Sequence, residues 1–114
     1  MSLPLSPLER IPPQSIEAEQ SVLGCMLLQK EAVARSLDLL RPEDFYRDTH
    51  RLLFDVMRQL FEAGQPIDLI TVTEALRARG QLEAVGGVAY LADLANVVPT
   101  AANLEYYARI VADR

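Results

Sequence analysis

The sequence predicts an all-α domain of six helices. Three observations carry this. Apolar residues recur at three- and four-residue spacings in separate stretches, glycine or proline punctuates most of the gaps, and no run alternates with the period of two that a half-buried strand needs. At 114 residues, half of them hydrophobic, the chain suits a single domain with one core. Residues 1–14 read as an extended arm and residues 15–114 as the helical domain.

Pro4, Pro7, Pro12 and Pro13 hold the arm extended. Ser15 is the expected cap of the first helix, with Glu17 and Glu19 near its positive dipole end and Val22, Leu23, Met26 and Leu27 as its apolar stripe. This helix closes near Gln29. A second, short helix carries Val33, Leu37 and Leu40 and stops about Arg41, because Pro42 pushes its predecessor out of the α region. Residues 42–46 then turn.

The strongest periodicity follows. Leu52, Leu53, Val56, Met57, Leu60 and Phe61 form one face after the potential caps Asp48 and Thr49, and this helix is expected to be the central one. Gly64 and Pro66 punctuate its end. Thr71 and Glu74 have capping-box spacing for a fourth helix that runs to Gly80, and a fifth covers residues 87–96. Val97, Val98 and Pro99 break it. Thr100 is then the expected cap of a sixth helix with Leu104, Tyr107, Ala108 and Val111 inward. Asn103, Tyr106 and Ile110 make a second, partly apolar stripe there, which one small core covers less well. Its periodicity still runs at Arg114, so the chain reads as a fragment of something longer.

Composition removes several function classes. A net charge of −5 opposes tight binding to DNA, whose affinity comes largely from phosphate neutralisation. No apolar run approaches the about 18 residues that a membrane span needs. The N-terminus lacks the basic and apolar regions of a secretory signal, and a lone cysteine suits a reducing compartment, so the expected location is the cytoplasm. Among eleven basic residues only Lys30 is a lysine.

The double glycine Gly86-Gly87 invites a phosphate-loop reading. Val88 stands where that loop requires lysine, a helix precedes it instead of a strand, and Glu83 inside the segment repels phosphate. The glycines are chain punctuation. Cys25 has neither a second cysteine nor a metal-spaced histidine and reads as a small buried hydrophobe. His50, the only histidine, suits a hydrogen-bonding or exposed first-turn role and has no evident triad, and the pairs Glu43/Asp44 and Glu17/Glu19 read as caps and solvated faces. An enzyme using Cys25 or His50 is therefore the weaker reading. No residue is assigned to catalysis, a cofactor or a metal. A small helix-turn-helix DNA-binding module built on residues 71–80, with Arg77 and Arg79, is the least favoured alternative, because its connection to residues 88–96 is longer than the three or four residues such units use.

Five stretches taken in order carry a resemblance: IPPQSIEAE (11–19), RPEDFY (41–46) with His50 after it, GQPIDL (64–69), GGVAYL (86–91) and VPTAANLEYYARIV (98–111). Together they closely resemble the N-terminal domain of bacterial replicative DNA helicases of the DnaB type. The resemblance implies a compact six-helix orthogonal bundle that, in the intact helicase, continues into a helical hairpin, a linker and a RecA-like motor. ATP and Mg²⁺ belong to that motor, so this fragment is expected to bind neither. The implied partners are the helicase-binding domain of primase and other helicase subunits, hexameric when intact, with the fragment a monomer or weak dimer. Tyr90 resembles a family position at the primase interface and Glu17 is a further candidate, while Tyr106 and Ile110 come from the second stripe. A primase-type helicase-interaction domain, which has a similar fold, is the alternative.

Overall fold

In the computed structural model, which describes residues 13–113, α1 spans Pro13–Leu28, α2 Lys30–Leu39, α3 Asp48–Glu62, α4 Leu69–Ala78, α5 Gly87–Ala95 and α6 Leu104–Ala112. Short 3-10 turns, Pro42–Asp44 and Glu83–Val85, precede α3 and α5. Among the described residues there is no strand. Most of the arm, residues 1–12, lies outside the described residues.

The hub of the bundle is α1 and not α3. It packs most extensively on α6, then on α2 and α5, and also meets α3. Val22, Leu23, Gly24, Cys25, Met26 and Leu27 are all buried in succession. A helix that is apolar all round belongs inside, whereas strong amphipathy marks a helix with one wet face. On α3, accordingly, Leu53, Phe54, Val56 and Met57 are buried while Arg51, Gln59 and Glu62 face outward. The turn before it buries Phe45 against Phe54, with ring centroids 4.9 Å apart.

Gly24 lets two of these helices approach closely. A Cβ there would fall inside contact distance of the Leu94 carbonyl oxygen and 2.8 Å from Val97 Cγ1. The α1–α5 crossing therefore brings backbone against backbone.

The expected starts of the helices move in four places. Pro13, with φ already helical, opens α1, so Ser15 lies buried inside the helix instead of capping it. Asp48 is the first residue of α3, and its cap Arg47 makes no side-chain capping bond. Asp68 caps α4: its Oδ1 accepts the Thr71 N–H at 2.9 Å and its own N–H donates to Thr71 Oγ1 at 2.9 Å. The capping box thus sits three residues earlier than Thr71/Glu74, because an aspartate there can close it. Thr100 accepts the Ala102 N–H at 2.8 Å in a local turn, and α6 starts only after Asn103. It closes at Ala112, where the Asp113 N–H donates to the Arg109 carbonyl at 2.9 Å.

The glycine assignments hold. After α4, the Gly80 N–H donates to the Arg77 carbonyl and the Gln81 N–H to the Leu76 carbonyl, and Gly64 and Gln65 repeat this after α3. Both are Schellman closures, with φ of +70° at Gly80 and +71° at Gly64.

Candidate functional site

Two polar residues in the interior define the site. Glu19 on α1 lies three and four residues before Val22 and Leu23, on the stripe α1 turns inward. His50 on α3 stands in the same relation to Leu53 and Phe54. Both side chains are 0% exposed, and they meet: His50 Nδ1 lies 2.7 Å from Glu19 Oε1. On its far side His50 Nε2 lies 2.6 Å from the Tyr90 hydroxyl. The Gln20 side-chain N–H donates to that same hydroxyl at 3.2 Å.

Further donors anchor the acid. The Tyr46 backbone N–H donates to Glu19 Oε2 at 2.5 Å, and the Arg47 N–H makes a long bond of 3.5 Å to Oε1. Glu19 thus holds the turn that leads into α3. The expectation of Glu17 and Glu19 as a solvated, dipole-facing pair is corrected: Glu17 is exposed, whereas Glu19 is enclosed. His50 has the hydrogen-bonding role, without exposure.

Tyr90 ends this line on α5, half-buried, with its ring within 10° of parallel to the imidazole. Gly86, one turn earlier, makes room for it. Its φ is +109°, and a Cβ there would sit 2.7 Å from Tyr90 Cβ. Any other residue would strain the backbone and push the tyrosine away.

Glu19, His50 and Tyr90 form a carboxylate–imidazole–phenol chain, a juxtaposition no sequence spacing announces. It differs from a catalytic array in one decisive respect, since neither the acid nor the imidazole has any surface for a substrate to touch. A hollow of about 470 Å³ is lined by Lys30, Phe61, Gly64, Gln65, Pro66 and Ile67, at the other end of α3. That places it about 16 Å along the helix from His50 at 1.5 Å per residue. Among the described residues no cluster of three or more His, Cys, Asp or Glu could hold a metal. Cys25 is buried, and desolvation pushes its thiol up to about 11.

The other candidates fall elsewhere. Glu17 lies three residues before Gln20 on α1, the spacing of helix neighbours, which puts it on the Tyr90 side of the bundle. On α6, Tyr106 is 65% exposed, whereas Ile110 is half-buried and packs against the core. No described hydrogen bond or ring contact joins these two pairs. Several arginines are taken up by acids: Arg58 by Asp55 and Glu62, Arg35 by Glu105 at 2.8 Å, and Arg77 by Glu74 within α4. No described helix is long and apolar enough to cross a membrane.

Known proteins resemble this chain along its length. It is 56% identical over 106 residues to the replicative DNA helicase DnaB of Geobacillus stearothermophilus, covering 93% of this chain and 23% of that protein. It is 51% identical over 106 residues to the replicative DNA helicase DnaC of Bacillus subtilis (strain 168), with the same shares covered. The chain thus spans about a quarter of the length of these relatives. The crystal structure of the N-terminal domain of DnaB helicase from Mycobacterium tuberculosis superposes with a TM-score of 0.86 at 51% identity, over 90% of this chain and 72% of that one. Residues 11–113 match the model of the DnaB-like helicase N-terminal domain, and the chain belongs to that family.

Proposed function

We propose that this domain works by association: it contributes to assembly of a replicative helicase ring and docks the helicase-binding domain of primase. The family match through every helix of the bundle carries this reading. Its enclosed polar centre supports it, because a carboxylate and an imidazole with no exposed surface shape a domain and do not meet a substrate. Tyr90 and Glu17 on the α1–α5 side are the residues proposed for the primase contact, and Tyr106 and Ile110 on α6 for contact with another subunit or a following segment. Tyrosine suits such a role, offering a large area at modest entropy cost.

ATP and Mg²⁺ are assigned to the parent helicase's motor, because Val88 and Glu83 stand where a phosphate loop would need lysine and an uncharged backbone cradle. DNA contact is likewise assigned elsewhere in the parent, given the net charge of −5. The test is titration of this chain with purified primase C-terminal domain, by calorimetry. Saturable binding is expected, weakened at least about tenfold by Tyr90→Ala, the size of effect of losing an interface anchor. Circular dichroism should show unchanged helix content. No binding by the wild-type chain contradicts the docking role.

A further inference from the structure

Beside an ionised Glu19, two arrangements of hydrogens satisfy the Glu19–His50–Tyr90 line: a neutral imidazole with its hydrogen on Nδ1, or an imidazolium with hydrogens on both ring nitrogens. In an enclosed chain each hydrogen must meet a lone pair. Both Glu19 oxygens accept main-chain N–H groups, from Tyr46 and Arg47, as an ionised carboxylate does. Oε1 then takes the hydrogen on His50 Nδ1. With its hydrogen on Nδ1, a neutral imidazole keeps a lone pair on Nε2, which takes the Tyr90 O–H. The Tyr90 oxygen in turn accepts from Gln20. In the neutral arrangement all donors point one way, from Gln20 towards Glu19.

We propose that the line holds the neutral imidazole, which makes the Glu19–His50 pair a positioning device that fixes the Tyr90 hydroxyl as a hydrogen-bond acceptor at the docking surface. Resting on the docking reading above, this inference adds what chemistry the surface selects. The phenol proton is committed inward to His50, one lone pair is taken by Gln20, and the remaining lone pair faces whatever arrives. The complementary group is a donor, an arginine, lysine or main-chain N–H of the docked protein; a carboxylate is rejected. The net charge of −5 favours the same cationic class.

Glu19→Gln reverses the chain. An amide has one oxygen, and keeping it on the Tyr46 N–H turns the NH₂ towards His50 Nδ1. The imidazole hydrogen must then move to Nε2, which donates to Tyr90, and the tyrosine O–H is released outward as a donor. His50 is the only histidine, so ¹⁵N NMR reports its two ring nitrogens without ambiguity. The wild-type chain at neutral pH is expected to show Nδ1 protonated and Nε2 bare, with the pattern exchanged in Glu19→Gln. Binding to primase C-terminal domain should fall about tenfold in Tyr90→Phe and in Glu19→Gln, and no further in the double variant, since both act on one hydroxyl. A wild-type Nε2 that carries the proton overturns the inference. So does a Glu19→Gln loss that persists undiminished in the Tyr90→Phe background, the mark of a merely structural role. Tyr90→Phe keeps the ring, so that arm stands even where Glu19→Gln fails to fold. Absence of wild-type binding overturns the docking reading and the partner half of this inference, while the ring-nitrogen pattern decides the positioning half.

Discussion

Glu19 and His50 have no exposed surface, yet each is a group that water would otherwise solvate. They are tolerated because each polar atom finds a partner, and the main-chain N–H groups of Tyr46 and Arg47 bring charge-assisted bonds to the carboxylate. Cys25 shows the opposite case, an apolar use of a reactive atom. Its thiol, raised to about 11 by desolvation, is almost wholly un-ionised at neutral pH. In the native chain at pH 7 it should resist alkylation by iodoacetamide and react only when denaturant is added; rapid labelling of the folded chain would show the pocket open. Cys25 was legible in the sequence as a small buried hydrophobe. Glu19 was misread although the signal was present: it shares a face with Val22 and Leu23, as His50 does with Leu53 and Phe54, and two polar residues on inward faces must find partners. Their pairing with each other, and with Tyr90 forty residues beyond His50, is tertiary information that periodicity does not hold.

At the scale of the element, α1 and α3 divide the labour that the periodicity assigned to α3 alone. An amphipathic helix signals itself by contrast between faces, and α1 lacks that contrast because its middle is apolar all round. For the same reason Gly24 passed unnoticed, since its purpose is a crossing partner, α5, distant in sequence. Gly24→Ala gains about 1 kcal/mol of helix propensity and forces α1 off the Leu94 carbonyl, an overpacking loss of about 1–3 kcal/mol. A net loss is expected in urea melts, together with disturbance of the Gln20–Tyr90 contact carried by the same two helices. Unchanged stability would mean that the crossing relaxes freely. Helix ends that glycine closes were legible, because Gly64 and Gly80 adopt the left-handed backbone the closure demands. Helix starts were less so, since several residues able to open a helix stand close together and local backbone chemistry chooses among them: Asp68 over Thr71, Pro13 over Ser15, Asn103 over Thr100.

Across the described residues, six helices with α1 as their hub hold an enclosed polar line whose half-buried end is Tyr90. The class of fold was open to reading from periodicity and punctuation, because a bundle of this size depends mainly on local patterns. The chemistry of the proposed docking surface was not, because in that proposal it depends on a proton's direction inside the core. Surface ion pairs such as Arg35–Glu105 add little to either, being exposed and screened. The most direct measurement is residue-by-residue NMR of this chain during addition of primase C-terminal domain. The predicted shifts centre on Tyr90, Gln20 and Glu17 and pass inward to the His50 ring. Shifts confined to the hollow of Lys30, Phe61 and Ile67, or none at saturating partner, would contradict the account.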